Sequence, residues 1–131
     1  MKSKSLIGQT LLSIYSEDTN GDQWPNIYLV TENGCYLYDP ENFVPTTVPA
    51  NGSEVKQIEH AKGKQITEAL TDGELTVLKL EDESVVFFEI GHSSIDGGIC
   101  SWPTVGYESK TQSESWIPQF CVDAQSCVVL P

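Results

Sequence analysis

The sequence contains no arginine: its seven basic residues are all lysines, and they face 19 acidic residues for a formal net charge of −12. Arginine is the side chain that most often recognises phosphate and guanine, through two parallel hydrogen bonds. A nucleic-acid-binding protein also needs a positive surface, because phosphate contacts supply much of its affinity. The missing arginines and the negative charge therefore exclude a nucleic acid as the expected partner.

Long apolar runs are missing as well. A helix that crosses a bilayer needs about 20 consecutive apolar residues, and the sequence has no such run. Residues 1–13 contain Lys2 and Lys4 but only short apolar pieces, whereas an export signal needs a continuous apolar stretch and a cleavage site of small residues. The negative charge also opposes binding to anionic lipids. We therefore expect a cytoplasmic protein with no membrane partner.

The sequence is also poor in sulfur ligands at close spacing. Its four cysteines are Cys35, Cys100, Cys121 and Cys127, and in a protein that is not exported they should stay reduced. Structural zinc sites use cysteine pairs separated by roughly two to four residues, and five residues separate the closest pair here. We expect buried thiols and no cofactor, with zinc at Cys121 and Cys127 as the alternative.

Strand signals dominate what is present. Asn33-Gly34 lies between the apolar runs 27–31 and 35–38, and this dipeptide favours the positive φ angles of a type I′ hairpin turn. A two-residue turn at that position would pair Val30 with Leu37. Both faces of the hairpin are partly apolar, so both should be covered.

A second hairpin is predicted from residues 75–80 and 85–90, which flank an acidic turn. Its apolar positions match those of the first hairpin at an offset of fifty residues, and a short apolar segment precedes each hairpin. Two interpretations fit: an internal repeat over residues 11–39 and 65–90, or two hairpins that are alike by chance. We predict a single, mainly β domain over residues 1–131. It is an antiparallel sandwich or rolled sheet made of two related three-stranded meanders, with little helix.

The remaining segments have the composition of loops. Three prolines fall within residues 40–60, and residues 91–98 are rich in glycine and serine, which predicts an extended loop and a turn cluster. By this reasoning Trp24, Trp102, Tyr107 and Trp116 lie in loops. Aromatic side chains in such places cap an open sheet or anchor a binding interface.

One short segment offers catalytic side chains. His92, Ser94 and Asp96 are close in sequence, and a hydrolase needs a serine, a histidine and a carboxylate within hydrogen-bond reach. No nucleophile-elbow pattern surrounds the serine, so we expect no catalytic residues. A small hydrolase or metal-dependent enzyme that uses these three residues is the alternative.

The charge is unevenly distributed along the chain. Residues 1–64 have a balance of −3 and residues 65–131 a balance of −9. The densest cluster is Glu81-Asp82-Glu83 at the predicted hairpin tip, with Asp72 and Glu74 in the preceding turn. Such a face keeps a protein in solution, or it attracts and orients a basic partner. Exposed charges of this kind should add little to stability.

The profile as a whole is similar to that of small acidic immunity proteins encoded beside bacterial polymorphic or contact-dependent toxins. The resemblance covers the chain at the level of composition and depends on the acidic clusters and the loop aromatics. It implies a stoichiometric inhibitor that covers a basic toxin domain, such as a nuclease, without turnover. The residues it assigns to partner binding are Asp72, Glu74, Glu81, Asp82, Glu83, Trp102 and Trp116. A non-catalytic accessory domain is the further alternative, and the sequence does not define the oligomeric state.

The cysteine analysis makes a direct prediction. Protein purified without oxygen and then unfolded should titrate with four free thiols, because no disulfide is expected to form. Elemental analysis of the folded protein should find no stoichiometric zinc. Two or fewer thiols would indicate disulfides, and one zinc per chain would indicate a site at Cys121 and Cys127.

Overall fold

A computed structural model of the chain describes residues 6–17, 25–39, 42–72, 75–95, 98–113 and 128–129. These residues form two antiparallel five-stranded sheets, with the strand orders β4-β3-β2-β1-β5 and β10-β6-β7-β8-β9. The first sheet contains β1 (Leu11–Glu17), β2 (Asn26–Thr31), β3 (Gly34–Asp39), β4 (Asn42–Thr46) and β5 (Ser53–Glu54). The second contains β6 (Ile66–Thr71), β7 (Leu75–Leu80), β8 (Val85–Ile95), β9 (Gly98–Glu108) and β10 (Val128–Val129).

The described residues contain little helix, namely a 3-10 segment at Lys56–Ala61 and a short α1 at Lys110–Ser113. The predicted fold class is therefore confirmed: the protein is mainly β, with the meanders β1-β2-β3 and β6-β7-β8 in two antiparallel sheets. The single domain over residues 1–131 stays a prediction.

The core lies between the two sheets and contains buried side chains from both. Its centre is a group of three aromatic rings, in which Tyr38 stacks on Phe88 at 4.8 Å and Phe43 meets Phe88 edge-on at 5.2 Å. Leu29 on β2 and Leu78 on β7 are both fully buried. Burying a side chain of this size contributes about 1.5–3 kcal/mol, so packing between the sheets is a main source of stability.

The two meanders join through reciprocal backbone contacts around a bridge between Thr10 and Gln65. Each hydrogen bond donated by a residue near Thr10 has a counterpart donated by the equivalent residue near Gln65. The four bonds run from Leu11 N to Lys64 O (2.9 Å), from Ile66 N to Gln9 O (2.8 Å), from Gly8 N to Ile66 O (2.8 Å) and from Gly63 N to Leu11 O (2.7 Å). Gly8 and Gly63 have φ angles of 92° and 82°, which residues other than glycine rarely adopt. The join therefore needs glycine at both places.

Strand register also matches between the meanders. In the first, Leu11 pairs with Thr31, and a bulge precedes the next pair. In the second, Ile66 pairs with Leu80, and a bulge follows at the same distance from the Thr10–Gln65 bridge. β2 and β7 have the same order of buried and half-buried positions along their six residues.

The predicted register of the first hairpin is wrong. Val30 pairs with Cys35, not with Leu37, because the turn lies at Glu32 and Asn33, one position earlier than expected. A type I′ turn needs positive φ at both Asn33 and Gly34, and only Gly34 has it (146°). A local bond explains the shift: Thr31 Oγ1 accepts a hydrogen bond from Asn33 N at 3.1 Å, which favours this earlier turn.

The predicted turn cluster at 91–98 is also wrong, since β8 continues to Ile95 and β9 begins at Gly98. Trp102 and Tyr107 accordingly lie on a strand and not in a loop. Glycine and serine disfavour strands only weakly, and here an eleven-residue ladder between β8 and β9 outweighs that preference. Trp24 and Trp116 lie outside the described residues.

Segment 40–60, predicted as an extended loop, contains two strands and the 3-10 segment. Pro45 lies on β4, which is an edge strand, and proline is tolerated there because one side of the strand has no ladder partner.

Gly106 on β9 has a packing role. It lies opposite Phe87 on β8, and a Cβ atom added at Gly106 would lie 2.3 Å from Cζ of the Phe87 ring. The ring therefore occupies the space where a side chain would be, so only glycine fits at this position.

Replacing Gly106 with alanine should destabilise the protein by about 1–3 kcal/mol, because the ring of Phe87 must move. Thermal or urea unfolding measures the loss. The same substitution in a Phe87→Leu background should cost clearly less, and Thr104→Ala, at an exposed position of the same strand, is the control. Equal costs of Gly106→Ala in both backgrounds would show that the ring is not the cause.

Candidate functional site

The predicted partner-binding residues fall at opposite ends of the second sheet. β7 separates Asp72 from Glu81 and its neighbours, and six strand residues span roughly 20 Å. Trp102 lies opposite Gly91, beyond the end of β7 where Asp72 is found. Glu74 and Trp116 lie outside the described residues. We call the end of the sheet at the Glu81–Glu83 turn the tip end. The opposite end, near Asp72, is called the arm end, because β8 and β9 extend beyond β7 there as a two-stranded arm.

At the tip end the carboxylates are exposed but already have partners. Asp82 Oδ2 lies 2.5 Å from Lys64 Nζ, and Glu83 Oε2 lies 2.7 Å from Lys110 Nζ. The carboxylate of Glu81 accepts a hydrogen bond from the backbone N of Gln65 at 3.2 Å. Each of the three acids is therefore tied to another segment of the chain.

Asp82 is the most strongly held of the three. Partial burial raises the pKa of this carboxyl, but hydrogen bonds from Lys64 and from Ser84 outweigh the burial and lower the pKa from 3.8 to about 2. Ser84 donates through both its backbone N, at 3.0 Å, and its hydroxyl. Asp82 thus ties the turn at the tip to Lys64 and to Ser84.

Most lysines in the described residues form ion pairs within the same chain. Four of the five pair with acidic residues. The pairs are Lys62 with Glu54, Lys64 with Asp82, Lys79 with Glu68, and Lys110 with Glu83. A partner therefore meets a surface on which the lysines are largely compensated and the field is negative.

The arm end has a different character. β8 and β9 continue past β7 as a two-stranded arm (90–95 and 98–103), with six pairs from Ile90–Pro103 to Ile95–Gly98. In the described part of the chain β7 pairs with β8 only as far as Glu89. The twelve arm residues include no aspartate, glutamate or lysine, which is unusual in a chain with 20% charged residues.

Three carboxylates lie near the base of this arm. Asp39, Asp72 and Glu89 are exposed, and Asp72 Oδ1 accepts a hydrogen bond from Leu75 N at 2.8 Å. Burial raises the pKa of the Tyr38 hydroxyl, and the charges of Asp39 and Asp72 raise it further. These two acids, from different sheets, therefore lie near the same side chain.

Sequence reasoning missed Asp39 and Glu89 as members of this group. Both are far from Asp72 in the chain. The pairing of β7 with β8 brings Glu89 to the same end of the second sheet, and the packing of the two sheets brings Asp39 there. One signal for the arm was present: Ile95 pairs with Gly98, and Asp96-Gly97 between them is a typical hairpin dipeptide.

The residues of the hydrolase alternative lie on the arm. His92 and Ser94 are two positions apart on β8, opposite Ser101 and Ile99, and Asp96 lies outside the described residues. Within the described ranges no three histidine, cysteine, aspartate or glutamate side chains are grouped so that they could hold a metal ion.

Of the four cysteines, Cys35 is a free thiol in the described structure, and burial raises its pKa. Cys100 lies on β9 opposite Ser93, while Cys121 and Cys127 lie outside the described residues. A buried thiol with a raised pKa is a poor nucleophile at neutral pH, so Cys35 acts as a core side chain.

Comparison with protein family models, with curated proteins and with solved structures finds no match to this chain. Among the described residues, no helix is long and apolar enough to cross a membrane. The case for function therefore depends on charge and geometry.

Asp82 gives a pH prediction. Its folded pKa of about 2 lies below the ordinary value of 3.8, so its stabilising effect is complete above pH 4 and is lost as the pH falls towards 2. Since the side chain is 42% exposed, water screens the pair and the effect should stay below about 1 kcal/mol. Asp82→Asn should lower the free energy of unfolding at pH 7, and the difference from the unmutated protein should shrink from pH 4 to pH 2. A difference that is constant over this range would contradict the assignment.

Proposed function

We propose that this protein is an inhibitor, of the kind called an immunity protein, that binds and neutralises a basic toxin domain. The observation that carries this proposal is the distribution of charge. The net charge is −12 without any arginine, and four of the five described lysines are held in internal ion pairs. Such a surface attracts a positively charged protein and repels nucleic acids.

The inhibitor acts by binding alone. A toxin that cuts nucleic acid needs a positive surface to hold phosphates, and an acidic protein that covers this surface blocks the substrate. No turnover is required of the inhibitor, so one copy neutralises one toxin domain. A nuclease is the toxin class that fits this chemistry best.

The arm end is the better docking face. At the tip end Lys64 and Lys110 compensate two of the three carboxylates. At the arm end Asp39, Asp72 and Glu89 are exposed near an arm whose sequence has no aspartate, glutamate or lysine, an arrangement that supports electrostatic steering of a basic partner. The tip residues stay in the proposal as the competing face.

Two variants with equal changes in charge test the proposal. The arm-end variant is Asp39→Asn/Asp72→Asn/Glu89→Gln, and the tip variant is Glu81→Gln/Asp82→Asn/Glu83→Gln. Each removes three negative charges. The binding probe is the purified carboxy-terminal domain of the protein encoded in the adjacent reading frame, with association rates measured at low and high salt.

We expect the arm-end variant to slow association about 3- to 10-fold at low salt, with a smaller effect at high salt. At physiological salt the tip variant should have less effect than the arm-end variant, since it lies roughly 20 Å away and the Debye length is then about 8 Å. Cells that express the toxin domain should survive when the unmutated protein is co-expressed. A larger effect of the tip variant would move the interface to the tip, while absence of binding and of protection would refute the inhibitor function.

A further inference from the structure

The longest open edge in the described structure belongs to β9. It is the last strand of the order β10-β6-β7-β8-β9 and runs for eleven residues. The other edge strands of the described sheets are shorter: β4 has five residues including Pro45, and β5 and β10 have two each. An edge of this length offers a row of backbone donors and acceptors to a further strand.

Natural proteins usually protect such an edge with charged side chains, proline, bulges or a very short strand. β9 has no charged residue before Glu108 at its end, and its ladder with β8 runs without a bulge. Pro103 is the one protective feature that β9 has, and on both sides of it the edge has no bulge and no charged residue before Glu108.

Pro103 indicates which amides point outwards. It lies in the middle of β9, and a proline has no N–H to give to the ladder with β8, so its nitrogen belongs on the open side. Backbone groups alternate in direction along a strand. The amides of Ile99, Ser101, Val105 and Tyr107 then point to the open edge, and those of the residues between them point to β8.

We propose that a strand of the basic toxin domain adds to the open edge of β9 and extends the second sheet to six strands. This proposal rests on the proposed function and names the surface that performs it. Main-chain hydrogen bonds would give affinity, as in other cases of strand addition. The acids Asp39, Asp72 and Glu89 near the base of the arm would select a basic strand.

The charge of the chain favours a basic partner over a second copy at this edge. Two copies would each carry a net charge of −12, and pairing of β9 with β9 would bring both sets of arm-end carboxylates towards each other. A basic strand has the opposite sign and relieves that repulsion. We therefore assign the edge to the toxin domain.

Amide hydrogen exchange, resolved by residue with NMR, is the direct test. In the free protein the amides of Ile99, Ser101, Val105 and Tyr107 should exchange fast, while those of Cys100, Trp102, Thr104 and Gly106 should be protected by β8. Binding of the domain encoded in the adjacent reading frame should slow the first group about tenfold or more. The second group should change little, so the alternation itself is the signature of strand addition.

A substitution at one position supplies the matched control. Ser101→Pro removes an outward amide and should weaken binding about 3- to 10-fold, whereas Ser101→Ala keeps the amide and should leave the affinity nearly unchanged. Circular dichroism and the exchange rates of β6 and β7 show whether the proline variant folds. If it does not fold, the exchange pattern of the unmutated complex decides.

The outcomes separate the two proposals. Tight binding without new protection at the outward amides of β9 would overturn the edge assignment and leave the inhibitor function standing. Outward amides that are already protected in the free protein would overturn it too, and a dimeric mass would then identify a second copy as the occupant. A toxin domain that does not bind at all would overturn both.

Discussion

The reciprocal backbone pairing around Thr10 and Gln65 is the contact on which the rest of the structure depends. It ties together the residues that directly precede the first strands of the two meanders and so helps to set how the sheets face each other. The same two residues also hold both hairpin turns, since Thr10 N donates to Glu32 at 2.5 Å and Gln65 N donates to Glu81 at 3.2 Å. The position of the acidic tip is thus set by the join between the meanders.

The strands that the sequence predicts well are those whose signal is local. Residues 27–31, 35–38, 75–80 and 85–90 alternate or cluster apolar side chains between turn residues, and the structure has strands at each. The failures have non-local causes. The first turn lies one position earlier than predicted because Thr10 and Thr31 form hydrogen bonds with its residues. The glycine- and serine-rich segment is a strand because β8 and β9 pair along eleven residues.

The candidate site was predictable only in part. Composition identifies the acidic character, and the hairpin pattern identifies the Glu81–Glu83 turn. The pairing of Lys64 with Asp82 depends on which strands are neighbours, and the position of Asp39 relative to Asp72 depends on how the two sheets pack. A charge that looks free in the sequence can be compensated in the fold, as Asp82 is by Lys64.

The join between the meanders also has a consequence for synthesis on the ribosome. Each hairpin is built from nearby residues and can form as soon as it emerges, but the bridge at Thr10 needs Gln65, which is made about 55 residues later. Until then Ile14, Leu29 and Tyr36, which are buried in the finished fold, have no opposing sheet. Exposed apolar surface of this kind favours aggregation. If synthesis stopped between the two meanders, the truncated chain would therefore aggregate or need a chaperone.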